Sequence, residues 1–441
     1  MPTDKQGNPL NGATADAADL FAGALDDFNR YAGDPLGKLD EAIAAAPDFA
    51  MAHLLKGHIY ATATEPAACK AAAGILAEVR KLPLTDREQS HAEALAHVID
   101  GNWTKAALTL DHHSMTWPHD MAALQIGHLI DFFRANARDL RDRLSRALPL
   151  WPEDMHGRSF LMGMHAFGLE EAGDYDAAEA VGREALALEP ADCWAHHAVA
   201  HVMEMQGRAE DGIGWMVARQ PYWAADGVFF QTHNWWHWAL FHMDLEDYGA
   251  ALRLYDDHVR AEPSQLAVDL VDAAALLWRL DLAGIDTGDR WGELADSWKV
   301  HADGCLYPFN DMHAAMAYIG AGRLADLDDL LSDYRANAKE VTEVDRWWTS
   351  FGLPLLEGFE AFAKDDFDTA ADRLHGARYI ANAFGGSHAQ RDVIDWTLME
   401  ACLRGGLRSK AEALAHERLT QKPLSAVNRG FLARALAQPE G

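Results

Sequence analysis

Residues 159–190 hold two apolar runs of helical period joined by a tight turn. The first is Phe160-Leu161-Met162-Gly163-Met164-His165-Ala166-Phe167-Gly168-Leu169, and the second runs from Asp176 to Leu188. Gly173-Asp174 breaks the chain between them, and Tyr175 fills the turn. Pro190 stops the second run, because proline has no N–H to donate and disfavours helix in the residue before it. Small residues at Ala166, Ala178 and Ala185 let the two helices approach closely. A lone pair of this kind cannot bury its own apolar faces, so further pairs must stack on it. Strand-like alternation of β-branched residues is scarce along the whole chain, and Ala and Leu dominate.

Weaker copies of the unit follow the same rhythm. Leu39 to Pro47 looks like a second helix with its proline stop. Glu93 to Leu110 turns at Asn102-Trp103, and Asn234 to Val259 turns at Asp247-Tyr248. Leu356 to Leu374 turns at Asp365-Asp366-Phe367, and Asp392 to Leu419 turns at Gly405-Gly406. The unit at 159–190 resembles a tetratricopeptide repeat, a helix-turn-helix of roughly 34 residues. It departs where Met162 and His165 stand in place of the usual Trp and Leu. The expected fold is all-α: an α-α superhelix, or solenoid, of degenerate tetratricopeptide-like helix pairs. Residues 1–35 are expected to form an N-terminal arm and first helix. Residues 36–435 would be one continuous helical-repeat superhelix with a His/Trp-rich centre at 193–242, and 436–441 a tail. Two long connections, 209–232 and 284–310, interrupt the rhythm. The first carries Trp215, Pro221 and Trp223 and is expected to fold over something rather than extend into solvent.

Charge narrows the partners. Lys plus Arg total 38 against 68 for Asp plus Glu, a formal charge of -30. That balance argues against nucleic acid and against anionic membrane surfaces. No run of 18 apolar residues appears, so no membrane span is expected. The four cysteines are far apart and include no CxxC pair, which suggests a reducing compartment and no disulfide framework. The expected location is cytoplasmic.

The stretch from Trp194 to His242 holds six of the 22 histidines and six of the 15 tryptophans. Packing a helix does not require so many rings with hydrogen-bonding edges. The string His197-Ala198-Val199-Ala200-His201-Val202-Met203-Glu204-Met205-Gln206-Gly207-Arg208 resembles the tetratricopeptide repeat protein 38 family. So do His233-Asn234-Trp235-Trp236-His237, Asp311-Met312-His313 and Gly386-Ser387-His388-Ala389-Gln390-Arg391-Asp392. The likeness spans roughly residues 36 to 435. It implies a soluble helical-repeat fold and carries over no reaction.

Three chemistries fit these residues. His197 and His201 are four apart on a helix, as are His233 and His237, and Glu204 follows His201 by three, so each set shares a face. Such sets can ligate a metal. The HExxH signature is absent, and buried polar groups more often satisfy one another. No metal ligand is therefore assigned, and no cofactor is named. The second chemistry is an enclosed pocket for a small polar or aromatic ligand. His197, His233, Asn234, Trp236, Asp311, His313, His388 and Arg391 are its candidate lining, and Arg391 suits a carboxylate or phosphate. Acid–base catalysis would fall to His201, Glu204 and His237, with Glu204 orienting His201. The third is a peptide-binding scaffold without enzymatic activity, the usual use of such folds. Homo-oligomerisation through terminal helices is a further option. His112, His113 and His119 flank Trp117-Pro118 and are expected in a surface loop.

Overall fold

Alanine- and leucine-rich segments become helices wherever a cap starts them and a turn residue ends them. The computed structural model describes residues 1–337, 341–378 and 385–439. Of the expected tail, residues 440 and 441 lie outside the described residues. Among the described residues the structure is all-α, with isolated β-bridges only at Thr3–Pro9 and Ala32–Val228. The helices group into two compact units. Unit 1 comprises Met1–Val199 with Pro221–Gln231, and unit 2 comprises Ala200–Gln220 with Thr232–Gly441.

Unit 1 holds α1 (Ala15–Arg30), α2 (Pro35–Ala45), α3 (Ala50–Ala61), α4 (Pro66–Val79) and α5 (Asp86–Ile99). It continues with α6 (Trp103–Thr116), α7 (Met121–Phe133), α8 (Ala137–Ala147), α9 (Arg158–Glu171) and α10 (Tyr175–Leu188). Consecutive helices pack as pairs, α1 on α2, α3 on α4, α5 on α6 and α9 on α10. Short turns between neighbours make each pair antiparallel. The expected break at Gly173-Asp174 lies between α9 and α10, with Gly173 at φ +84°. Gly168 of α9 marks a close approach: a Cβ there would stand 2.7 Å from the Arg141 backbone of α8. The first residues are strapped down. The Gln6 amide donates to the His156 carbonyl at 3.0 Å, and Arg87 donates to the Pro9 carbonyl at 3.2 Å.

The unit boundary falls inside α11 (Cys193–Met205) and again inside α12 (Ala209–Trp223). Unit 2 continues through α13 (Gln231–Asp244), α14 (Tyr248–Leu254), α15 (Ala267–Leu282), α16 (Arg290–Trp298) and α17 (Pro308–Gly320). Then come α18 (Leu324–Asn337), α19 (Glu343–Trp347), α20 (Leu353–Ala363), α21 (Phe367–Arg378), α22 (His388–Arg404), α23 (Arg408–Gln421) and α24 (Ala426–Leu436). Again α20 packs on α21 and α23 on α24. A capping box starts α22: Ser387 accepts from the Gln390 N–H, and Gln390 reaches back to the Ser387 N–H.

Both long connections contain helix. Residues 209–223 form α12, which runs past Pro221 to Trp223. Burial of Met216 and Trp223 outweighs the one hydrogen bond that proline removes. Residues 290–298 form α16 inside the second connection.

Candidate histidine–carboxylate centre

One face of α13 carries both His233 and His237, because residues four apart on a helix stand one above the other. The His237 Nδ1 donates to Glu204 Oε2 on α11 at 3.0 Å. The His233 Nδ1 donates to Asp272 Oδ2 on α15 at 2.8 Å. The two Nε2 atoms face each other at 3.1 Å. His201, also on α11, turns its ring edgewise to His237 with centroids 4.5 Å apart. One ring nitrogen from each of His201, His233 and His237 lies within 4.8 Å of the others. Glu204 Oε1 meets the Lys422 ammonium at 3.5 Å. Glu204 is thus spent on His237 and Lys422, whereas the helix spacing alone had paired it with His201. The facing helix sets the partner.

The Trp236 ring stacks on His233 at 5.2 Å, and the Arg279 guanidinium lies 5.7 Å from the Trp236 ring centre. Arg279 donates to the carbonyls of Ala275 and Ala389. Burial pulls its guanidinium down to about 10. Trp235 and Trp238 stack on each other, and Trp235 also lies against His258. The three tryptophans therefore divide between two faces of α13, as helix geometry requires. Asn234 is buried, and its amide finds no hydrogen-bond partner among the described residues.

His197 belongs to unit 1, where it stacks on Phe167 at 5.2 Å and meets the Phe230 ring at 5.1 Å. Asp311 accepts from the Tyr334 hydroxyl at 2.6 Å. Burial raises its carboxyl to about 8, so it is protonated at neutral pH. His313 donates from Nδ1 to the Phe309 carbonyl at 2.7 Å, and burial lowers it to about 3. His388 and Arg391 line a cavity of about 240 Å³ with Met205, Arg378, Asp392, Asp395 and Lys422. Arg391 also donates to the Gly386 carbonyl. The side chains of Trp236 and His237 are fully buried. They pack the interior around the carboxylate pairs. Burial keeps the Cys193 thiol well above its ordinary value and raises Cys305 to about 11. Neither is a thiolate at neutral pH.

Sequence reasoning did not single out Asp272, Arg279 or Lys422. An acid inside the apolar run Leu270–Leu277 was the available signal for Asp272. It also missed a polar cluster in unit 1. Asp120 Oδ2 accepts from Arg87 Nε at 2.6 Å, His91 Nε2 at 2.9 Å and His113 Nε2 at 3.0 Å. His113, expected in a surface loop, is buried because α6 continues to Thr116. The Arg87 charge holds the Asp120 carboxyl well below the usual range against the opposing effect of burial.

Fold and site together define an all-α helical-repeat protein with buried histidine–carboxylate pairs. No family model matches the chain. Among similar solved structures is a human IFIT1 dimer with m7Gppp-AAAA, at 15% identity over 96% of this chain and 95% of that one, TM-score 0.42. Another is the APC/C hetero-tetramer Cut9-Hcn1, at 13% identity over 96% and 91%, TM-score 0.34. A human IFIT1 dimer with PPP-AAAA matches at 13% identity over 81% and 96%, TM-score 0.28. Two of these structures are IFIT1 with m7Gppp-AAAA and with PPP-AAAA, and the exclusion of nucleic acid drawn from net charge is withdrawn. Net charge describes the whole surface, whereas a ligand meets a local potential. Among the described residues no helix is long and apolar enough to cross a membrane.

Proposed function

We propose that this is a helical-repeat binding protein whose unit 2 takes a small oxyanion-bearing molecule. The carrying observation is the cavity beside α22 and α23. In a chain of formal charge -30, this cavity gathers Arg391 and Lys422 with His388, beside an Arg378 that pairs with Asp395 and Glu417. Its two acids are already held: Arg418 binds Asp392 through two hydrogen bonds, and Arg378 pairs with Asp395 at 3.0 Å. Guanidinium and ammonium groups around a concave site suit a carboxylate or a phosphate. The cavity volume of about 240 Å³ suits a ligand smaller than a drug. The reading assigns binding and no reaction. Membership of the tetratricopeptide repeat protein 38 family, drawn from the motifs around His197 and His233, is part of the proposal and adds a fold only.

Thermal unfolding in the presence of pyrophosphate, a four-carbon dicarboxylate and a neutral sugar tests the class. A ligand that binds only the folded state raises its stability by mass action. A rise with either anion and none with the sugar supports the reading, and no rise with any of them refutes it. A second reading, a peptide-binding scaffold, draws on an open groove of about 500 Å³. Tyr248, Trp396 and Phe431 line it, with Glu400, Arg404 and Arg434. Stabilisation by a pool of short peptides but by no anion would favour that reading.

A further inference from the structure

We propose that His201, His233 and His237 form a site for a divalent transition-metal ion, of which zinc is the best fit. The inference goes beyond the anion cavity and does not depend on it. The Nδ1 atoms of His233 and His237 face Asp272 and Glu204 at 2.8 and 3.0 Å. An ionised carboxylate only accepts, so each Nδ1 carries the proton. In a neutral imidazole the lone pair then sits on Nε2. Those two Nε2 atoms stand 3.1 Å apart, close enough to share one cation, a proton or a metal ion.

Metal geometry fits the spacing. Zinc–nitrogen bonds of ~2.0–2.1 Å at the tetrahedral angle put neighbouring ligand nitrogens roughly 3.3 Å apart. His201 supplies a third ring nitrogen within 4.8 Å of the others. A carboxylate behind a ligating imidazole fixes its tautomer and raises its basicity, and two of the three rings have one. An all-imidazole donor set selects transition metals over magnesium and calcium, which prefer oxygen. Glu204 and Asp272 bring two negative charges to the site, partly offset by Lys422. The unit 1 cluster differs on this point: Arg87 stands 2.6 Å from the same Asp120 oxygen that His91 and His113 contact, so a fixed cation already fills that role.

The test is a titration of the full-length chain, stripped with a chelator, with Co²⁺ as a coloured stand-in for zinc. One equivalent per chain with the visible absorption of tetrahedral cobalt is expected, and zinc should displace it. His233→Ala and His237→Ala should abolish the absorption. Asp272→Asn keeps all three ligands and should weaken Co²⁺ binding roughly 10–100-fold. If either alanine variant fails to fold by circular dichroism, Asp272→Asn decides. No cobalt absorption in the unaltered chain, or an affinity unchanged in Asp272→Asn, overturns the proposal. In the first case the two Nε2 atoms share a proton instead.

Discussion

Replacing Asp120 by Asn changes one charge at nearly constant shape. The carboxylate does two jobs in unit 1. Oδ1 accepts from the Ala123 N–H at 3.1 Å and caps α7, and Oδ2 takes three donors from Arg87, His91 and His113. Asn caps helices as well as Asp does, so the cap survives if the carbonyl keeps the Oδ1 position. The amide NH2 then points at three donors. The buried Arg87 keeps only the Asp4 carboxylate, 3.4 Å away, as an ionic partner. Breaking a buried ion pair by removing one partner costs roughly 3–5 kcal/mol. The Asp4 contact offsets part of this, so a loss of about 3 kcal/mol is expected. Urea unfolding followed by circular dichroism reads it as a lower midpoint at unchanged slope. Arg87→Met in the Asp120→Asn background should recover part of the loss, because it removes the stranded charge. A loss under about 1 kcal/mol for Asp120→Asn, with no recovery in the double variant, would refute the reasoning.

Burial lowers His91 to about 4 and both His58 and His128 to about 3. In the unfolded chain these groups titrate near 6.5. Below that pH the unfolded state binds more protons, so stability should fall as pH drops from about 6.5 towards 4. Each histidine contributes up to roughly 2 kcal/mol between pH 7 and pH 5, and equal urea midpoints at the two pH values would contradict the account. Gly168→Ala should cost about 1–3 kcal/mol, because the new Cβ meets Arg141 backbone that cannot move aside. Gly173→Ala should cost about 1 kcal/mol from its left-handed backbone alone, since no atom lies within 4 Å of the added Cβ. Chemical denaturation measures both, and a Gly168→Ala loss smaller than that of Gly173→Ala would contradict the packing argument.

Helix pairs were legible because period and punctuation agreed. Gly173-Asp174 and Gly405-Gly406 lie between consecutive helices, and Asn102-Trp103 and Asp247-Tyr248 stand where α6 and α14 begin. The α12 segment was not legible, because Pro221 and three aromatic residues disguise a helix whose burial decides the matter. Within the site, helix spacing put His233 with His237 and His201 with Glu204. It did not show that Glu204 meets His237 or that Asp272 meets His233. Packing between helices settles that: Asp272 is 39 residues from His233 in sequence. His113 was misjudged from its neighbours Trp117-Pro118, although its partner Asp120 stands only seven residues away. An acid that starts one helix while binding the end of the previous one leaves no periodic trace.

The central claim is that unit 2 binds a small oxyanion in the cavity that Lys422 helps to wall. Its most direct test is a calorimetric titration of the full-length chain with pyrophosphate and a four-carbon dicarboxylate at pH 7, repeated on Lys422→Met. The account predicts one site per chain for at least one anion, weakened at least roughly tenfold by the substitution, the scale of a lost charged hydrogen bond. Absence of binding to either anion, or equal affinity in the two proteins, would contradict it.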